Sequence, residues 1–246
     1  MSSEKRMSKR QRMRAKRQRQ ARMQRFGLIG IIVVGALVVA FALMYPSLKS
    51  IGEIATVEPN PRPQANGTAM GDPNAPVVID VFEDFQCPAC RTYSEDVEIH
   101  IAETYVTTGQ VYYVFHQYPF IDSASINKES QQAANASMCA VEQGLFWEYH
   151  DILFANWNGE NTGAFNDRRL VAFAEALNLD MDLFNGCFQE NRYRDEIQAD
   201  FDLGNEMGVS GTPSVFVNGE HVTPGFVPSF ADIQQAVEAA LIQTGQ

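Results

Sequence analysis

Residues 77–90 (VVIDVFEDFQCPAC) constrain this chain more than any other stretch. Their β-branched and aromatic side chains predict a buried strand, and the polar residues after the Cys-Pro-Ala-Cys end permit a helix. Proline suits the first helical position, because its missing N–H would have no partner there. The sequence therefore predicts a strand, a short turn and a helix that begins at Cys87.

The spacing of the two cysteines in this motif indicates redox chemistry. Cys87 and Cys90 are three residues apart, so a helix places both sulfurs on one face, close enough to form a small disulfide ring. The unpaired N–H groups and the positive dipole end of the helix favour a thiolate at Cys87. A thiol of pKa about 8.5 is only about 3% ionised at neutral pH, whereas one near 5 is almost fully ionised. Pro88 and Ala89 form the dipeptide between the two sulfurs.

Charge is distributed very unevenly along the chain. Residues 1–25 hold eleven Lys and Arg and one Glu, whereas the remainder holds eight bases against twenty-nine acids. We expect a basic, disordered cytoplasmic tail that would bind anionic lipid headgroups. A nucleic-acid-binding arm is the alternative, but no aromatic residues are interleaved, and the acidic body argues against nucleic acid as a partner.

The basic tail is followed by an uncharged apolar run at residues 26–48. Its twenty-three residues span about 34 Å as a helix, which is enough to cross a bilayer. The excess of positive charge before the run predicts a single-pass membrane anchor with the N-terminus in the cytoplasm and the body outside it. A cleaved signal peptide is the alternative, since residues 40–42 (Ala-Phe-Ala) resemble a cleavage site. Both interpretations place the body in an oxidising compartment.

The rest of the chain divides into a tether and a body. Residues 49–75 are rich in proline and lack apolar periodicity, so they predict an extended tether. In residues 76–246 a second strand is expected at 111–118, parallel to the first, followed by a helical segment at about 124–207. A hairpin after Thr212-Pro213 and a final helix from about residue 228 complete the body.

Three segments carry a resemblance to a known family: DFQCPAC at 84–90, CAVEQGLFWEYHDILF at 139–154 and GVSGTPSVFVNG at 208–219. Together, and in this order, they resemble the membrane-anchored form of the DsbA-like thiol:disulfide oxidoreductases. The resemblance covers residues 75–243. It implies an α/β class, namely a thioredoxin fold with a helical insertion, preceded by a single transmembrane helix.

The resemblance also implies roles for particular residues. Cys87 matches the exposed cysteine that forms a mixed disulfide with a client, and Cys90 matches the buried resolving cysteine. Thr212-Pro213 matches the family's cis-proline segment, which pairs main chain to main chain with a bound peptide. The redox-active disulfide would be the only redox group, with no cofactor and no metal.

One position departs from the family pattern. The family usually places a buried carboxylate six residues before the first cysteine, where it shuttles the proton of the resolving thiol, but here that residue is Val81. Glu83 lies two residues further along and shares a strand face with Val81. Our hypothesis is that Glu83 replaces the missing group as a proton relay.

A second pair of cysteines, Cys139 and Cys187, lies in the helical segment. A structural disulfide is the preferred interpretation, because the compartment is oxidising. Two buried free thiols and a regulatory or electron-relay pair are the alternatives. A zinc site formed by all four cysteines would lack the usual ligand spacing and would occupy the activated thiols.

These expectations combine into one functional hypothesis. The chain would be a membrane-tethered, extracytoplasmic oxidoreductase that introduces disulfides into exported, thiol-bearing clients through Cys87 and Cys90. A membrane quinone-linked partner of the DsbB or VKOR type would reoxidise it. The alternatives are a thiol reductase or disulfide isomerase of the same fold, and a non-catalytic thioredoxin-fold chaperone.

Overall fold

The computed structural model describes residues 9–48, 50–124, 126 and 128–245. It divides the chain into two compact units, Met1–Gly52 and Glu53–Gln246. The first unit contains the 40-residue helix α1 (Lys9–Leu48). By length and composition alone, its stretch Arg12–Ala42 could cross a membrane, and it is the single such candidate among the described residues. The predicted apolar helix before the body is therefore present.

The basic stretch at residues 9–25 differs from its prediction. It forms the first part of α1 and is not disordered. Only Lys, Arg, Gln, Met and Ala occur in it, and all five have high helix propensity. The helix therefore continues without a break from the basic stretch into the apolar one. Residues 1–8 lie outside the described part of the chain.

A mixed five-stranded sheet forms the centre of the second unit, with the spatial order β1-β3-β2-β4-β5. The strands are β1 (Ala69–Met70), β2 (Val77–Glu83), β3 (Val111–Gln117), β4 (Ser214–Val217) and β5 (Glu220–Val222). β2 and β3 run parallel, as predicted, and the other neighbouring pairs are antiparallel. The predicted strand–helix–strand unit and the hairpin are thus both present.

Helices cover this sheet. The helix after the Cys-Pro-Ala-Cys motif, α2 (Pro88–Tyr93), continues through a π-helical turn (Ser94–Glu98), a short helix α3 (Ile99–Ile101) and a second π-helical turn (Ala102–Val106). A 3-10 turn (Ile121–Ala124) then leads into five helices between β3 and β4: α4 (Glu129–Val141), α5 (Phe146–Ala155), α6 (Asp167–Ala176), α7 (Met181–Glu190) and α8 (Arg194–Glu206). The last helix is α9 (Phe230–Thr244), which begins with a capping box at Ser229.

The strand β2 lies in the middle of the sheet, with one face fully buried and the other partly covered. Val77, Ile79 and Val81 are fully buried in the main core, whereas Phe82 packs into a separate cluster on the other side. Fully and partly buried positions alternate along the strand until its carboxyl end, where every residue is buried. Its carboxyl end brings the cysteine motif to one edge of the core.

The segment predicted as an extended tether, residues 49–75, packs on the domain over most of its length. Asn156 accepts a hydrogen bond from the Ala55 N–H, and the two-residue strand β1 pairs with β3. The Arg62 side chain is 4% exposed. The second unit accordingly begins at Glu53, well before residue 76. Individual polar and apolar contacts hold this segment without any repeating pattern, so periodicity could not reveal them.

The second cysteine pair joins two helices of the insertion. Cys139 on α4 and Cys187 on α7 are bonded in the structure, at a sequence separation of 48. Both residues are buried. Of the interpretations that the sequence left open, the structure therefore contains the disulfide.

Candidate active site

The turn between β2 and α2 positions the first cysteine. The Asp84 carboxylate accepts a hydrogen bond from the Gln86 N–H at 2.8 Å, and the Cys87 N–H donates to the Asp84 carbonyl oxygen at 2.9 Å. Cys87 keeps an extended backbone (φ −74°, ψ 121°), and Pro88 opens the helix. A short polar turn after an apolar strand thus holds the Cys87 sulfur at the first turn of α2.

The structure brings the predicted site residues together. Cys87 and Cys90 are free thiols; Cys87 is 6% exposed, and Cys90 is completely buried. The Thr212–Pro213 peptide bond is cis, and the Cys87 Sγ lies 3.3 Å from the Thr212 carbonyl oxygen, to which its thiol form donates a hydrogen bond. The loop before β4, more than 120 residues away in sequence, therefore lies directly against the motif.

The two thiols have opposite proton affinities. A hydrogen bond from the Cys90 thiol, together with the side chain of Thr212 and the N–H groups of Ala89 and Cys90, lowers the pKa of Cys87 to about 6 despite partial burial. Burial raises the pKa of Cys90 well above its usual value, and its hydrogen bond to Cys87 adds to this. At neutral pH, Cys87 is mainly a thiolate, and Cys90 keeps its proton.

Glu83 lies at the end of β2 beneath these sulfurs and is completely buried. Neither carboxyl oxygen has a hydrogen-bond partner of good geometry in the described part of the chain. Burial raises its pKa well above the usual range, the Glu98 charge raises it further, and the nearby Cys90 thiol acts to lower it. The neighbouring acids turn elsewhere: Asp80 pairs with His116, and Asp84 binds backbone N–H groups. Glu83 is thus a buried carboxyl with a raised proton affinity, close to Cys90.

The helical insertion also holds the active-site turn, a contact that sequence reasoning missed. The Trp157 Nε1 donates to the Gln86 carbonyl oxygen at 2.7 Å, and the Gln86 side chain binds the Asn161 N–H and the Ser130 hydroxyl. Nothing in the sequence links these residues, because 71 positions separate Gln86 from Trp157. The turn before Cys87 is therefore fixed from outside the strand–helix unit.

A cavity lies beside the cis peptide bond. It has a volume of about 180 Å³ and is lined by residues 210–214 and 225–227. The Phe226 side chain at its edge is 79% exposed, and its neighbour Val227 is also exposed. A groove with polar backbone on one side and exposed apolar side chains on the other could hold an extended peptide next to Cys87.

Comparison with known proteins identifies the family. The model of the thioredoxin family matches residues 64–239, which is most of the chain. The probable disulfide bond formation protein D of Bacillus anthracis is 28% identical over 160 residues, which cover 64% of this chain and 72% of that protein. A sodium/proton antiporter, NhaA 3 of Salinispora tropica, is 36% identical over 149 residues; the chain spans about a fifth of that protein's length. This chain belongs to the thioredoxin family.

Solved structures show the branch to which its fold is similar. Oxidised BdbD from Bacillus subtilis superposes with a TM-score of 0.63 at 20% identity, over 78% of this chain and 100% of that one. The alpha-DsbA1 of Wolbachia pipientis gives a TM-score of 0.60 at 23% identity, over 74% and 96%. The predicted thioredoxin fold, with the helical insertion of its DsbA-like form, is confirmed.

Proposed function

We propose that this chain is a thiol:disulfide oxidoreductase that introduces disulfides into exported proteins. The observation that carries the proposal is the pairing of a Cys87 thiol of lowered pKa with a buried Cys90 thiol of raised pKa, next to the Thr212 backbone. A stabilised thiolate favours the reduced form of the pair, and that makes the disulfide form an oxidant. The direction of this shift supports the proposed oxidase, and the redox potential tests it.

The reaction consists of two exchanges that begin from the oxidised pair. A client thiolate attacks the Cys87 sulfur, the bond between Cys87 and Cys90 breaks, and its electron pair goes to the Cys90 sulfur. A second client thiolate then attacks the client sulfur of the mixed disulfide, and Cys87 leaves as a stable thiolate. The client gains a disulfide and the protein becomes a dithiol. Both electrons stay on sulfur, so the proposal requires no cofactor.

Glu83 supplies the proton that the first exchange needs. Cys90 leaves as a thiolate in a fully buried position, where a charged sulfur is unfavourable. A protonated Glu83 carboxyl transfers its proton to that sulfur, and Glu83 takes up a proton again when the pair is reoxidised. The position of Glu83 two residues after Val81 supports this relay, since both belong to the end of β2.

Clients are bound as extended segments. The backbone of Thr212 and the cis Pro213 lie beside Cys87, next to the groove with the exposed Phe226. We propose that a client adds its main chain along Thr212 while an apolar side chain lies against Phe226. This arrangement brings a client cysteine to the sulfur of Cys87.

The membrane arrangement completes the proposal. The apolar part of α1 anchors the chain, and the basic residues before it remain on the cytoplasmic side, so that the catalytic domain lies outside the cytoplasm. A membrane protein that passes electrons to quinone, of the DsbB or VKOR type, restores the disulfide between Cys87 and Cys90. Labelling cysteines introduced on either side of the apolar stretch with a membrane-impermeant thiol reagent tests the orientation.

The activity is tested with the oxidised full-length chain and a reduced peptide that contains two cysteines. We expect a stoichiometric disulfide in the peptide, a redox equilibrium against glutathione nearer to −120 than to −270 mV, and no oxidation by a Cys87→Ala variant. The double variant Cys139→Ala, Cys187→Ala is the matched control and keeps the activity. A value near −270 mV would establish a reductase, and full client protection by Cys87→Ala would establish a chaperone.

A further inference from the structure

An arginine from outside the family-matched region lies buried beneath the active site. Arg62 precedes the matched residues 64–239, yet its side chain is only 4% exposed. Its Nη2 donates to the Glu98 Oε1 at 2.7 Å and to the Asp151 Oδ1 at 3.0 Å, and its guanidinium lies 4.8 Å from the centre of the Trp147 ring. A fully buried charge requires partners, and here two carboxylates share one cation.

Glu98 connects this arginine with the active site. Its Oε2 accepts a hydrogen bond from the Tyr113 hydroxyl at 3.1 Å, and its charge also acts on the buried Tyr93 hydroxyl of α2. The charge of Glu98 raises the pKa of Glu83, whereas the charge of Arg62 lowers it. Arg62 and Glu98 thus act in opposite directions on one buried carboxyl.

The contacts of Arg62 are incomplete for a purely structural residue. Its Nε and Nη1 are buried and have no hydrogen-bond partner among the residues described. Buried donors without partners lower stability, which is unfavourable for a residue whose only role is to hold two segments together. Their positive charge nevertheless acts on the surrounding carboxyl groups, since charges interact over longer distances in a buried site.

We propose that Arg62 is a positioning residue for the thiol chemistry, which acts with Glu98 to set how tightly Glu83 holds its proton. The inference rests on the proposed function, in which Glu83 protonates Cys90. It assigns to the segment between α1 and the thioredoxin fold a part in the active site. Without Arg62, Glu83 would keep its proton when Cys90 becomes a thiolate.

Several titratable groups, from each element that packs nearby, surround Glu83 and Glu98. Those that act on Glu83 or Glu98, directly or through Arg62, are Cys87, Cys90 and Tyr93 from α2 and its N-cap, Tyr113 from β3, Arg62 from the N-terminal segment, and His150 with Asp151 from α5. The two sulfurs do not titrate once they form a disulfide. The oxidised protein therefore isolates the titration of Glu83 from that of the thiols.

The test is an infrared titration of the oxidised full-length chain, followed through the C=O stretch of protonated carboxyl groups. The band that disappears in Glu83→Gln identifies this residue. We expect Arg62→Gln to move the midpoint of this band upward by about one pH unit or more, and Glu98→Gln to move it downward by a similar amount. Arg62→Lys keeps the charge and should restore most of the wild-type midpoint.

Arg192→Gln is the matched control, because Arg192 also pairs with two carboxylates, those of Glu142 and Glu190, but at the surface. It should leave the midpoint unchanged. Shifts of the same sign in Arg62→Gln and Glu98→Gln, equal midpoints in both, or the absence of a band that depends on Glu83 would overturn the proposal. If Arg62→Gln fails to fold, the downward shift in Glu98→Gln and the Arg62→Lys midpoint still decide it.

This titration needs no client, so its result is independent of the proposed activity. As a second readout, the rate at which dithiothreitol reduces the wild-type disulfide should fall above the same midpoint, after correction for ionisation of the reagent. An inactive protein with opposite shifts would refute the proposed function and leave the role of Arg62 intact. An active protein without these shifts would refute the role of Arg62 and leave the proposed function intact.

Discussion

Cys87 and Cys90 are chemically identical residues one helical turn apart, and their surroundings give them different tasks. The sulfur of Cys87 receives hydrogen bonds from Cys90 and from N–H groups at the start of α2. The sulfur of Cys90 is enclosed by the core and lies near the carboxyl of Glu83. A thiolate is thus stabilised at the position that a client reaches and destabilised at the position that it does not.

At the residue scale, the lowered pKa of Cys87 predicts selective alkylation under mildly acidic conditions. In the reduced protein, the reaction of Cys87 with iodoacetamide should reach half its maximal rate near pH 6, because the pKa is about 6. A free cysteine reaches that point at about pH 8.5. The measurement is the pH dependence of the alkylation rate, with Cys87→Ala as the control for Cys90. A midpoint above pH 8 would contradict the assigned environment.

At the scale of elements, α8 packs unusually closely on the sheet. A Cβ placed on Gly204 would lie 2.7 Å from the Tyr118 ring and 3.1 Å from the Phe82 ring. Tyr118 also stacks on Phe201 of the same helix, with ring centroids 4.5 Å apart. The glycine therefore sets the distance between this helix and the strands beneath it.

We therefore predict that Gly204→Ala lowers the free energy of unfolding by about 1–2 kcal/mol, because overpacking outweighs the gain in helix propensity. Gly186 on α7 is the matched control, since a Cβ there meets no atom within 4 Å. Gly186→Ala should raise the free energy of unfolding by about 0.5–1 kcal/mol. Urea denaturation of both variants measures the difference, and equal effects would refute the close packing of α8.

A second contact between α8 and the strands depends on pH. His116 on β3 lies between Asp200 and Asp80, at 2.9 and 3.0 Å. Burial acts to lower the pKa of His116, but hydrogen bonds and charges from Asp200 and Asp80 outweigh it and raise the pKa to about 9. Because the folded-state pKa of His116 exceeds its unfolded value, the contribution of this charged imidazole to the free energy of unfolding is complete below about pH 6.5. It is lost as the pH rises through 9.

The prediction is that His116→Gln is less stable than the wild type by on the order of 3 kcal/mol near pH 6, and that the gap narrows steadily between pH 6.5 and 9.5. Urea unfolding of the oxidised proteins across this range measures it. His100→Gln is the control, since the side chain of His100 is mostly exposed and its ion-pair contact with Glu103, at 3.7 Å, is long. A constant gap for His116→Gln would argue against a charged imidazole.

At the scale of the whole molecule, one long-range connection joins two helices of the insertion, and another holds the N-terminal segment to that insertion. The disulfide between Cys139 and Cys187 joins α4 to α7. The segment from Glu53 onward follows the surface of the domain, where Asn60 donates to Asp151 through both its backbone and its side chain. Both connections restrict parts of the chain that are distant in sequence.

The disulfide is expected to contribute substantially to stability. By restricting the unfolded chain, a cross-link at a sequence separation of 48 stabilises the folded state by about 4 kcal/mol in the chain-entropy relation. In a Cys87→Ala, Cys90→Ala background, dithiothreitol should therefore lower the free energy of unfolding by up to about that amount. Adding Cys139→Ala and Cys187→Ala should abolish the effect of the reductant. An unchanged unfolding midpoint under reducing conditions would show that the cross-link does not stabilise the domain.

The sequence by itself determined the local elements. The apolar run before Cys87, the proline after it and the spacing to Cys90 specify a strand, a turn and a helix through short-range preferences. The twenty-three uncharged residues at 26–48 likewise predict an apolar helix. Such features depend on residues a few positions apart, and they can therefore be predicted from the sequence alone.

Only the tertiary structure decided which distant groups meet. It directed Glu83 rather than Asp80 or Asp84 toward Cys90, and it brought Arg62 from an expected tether to Glu98. These residues are distant in sequence and meet only because whole helices and strands pack together. No spacing pattern in the sequence predicts such contacts. The pKa values that separate the two thiols arise from burial and hydrogen bonds that exist only after the chain has folded.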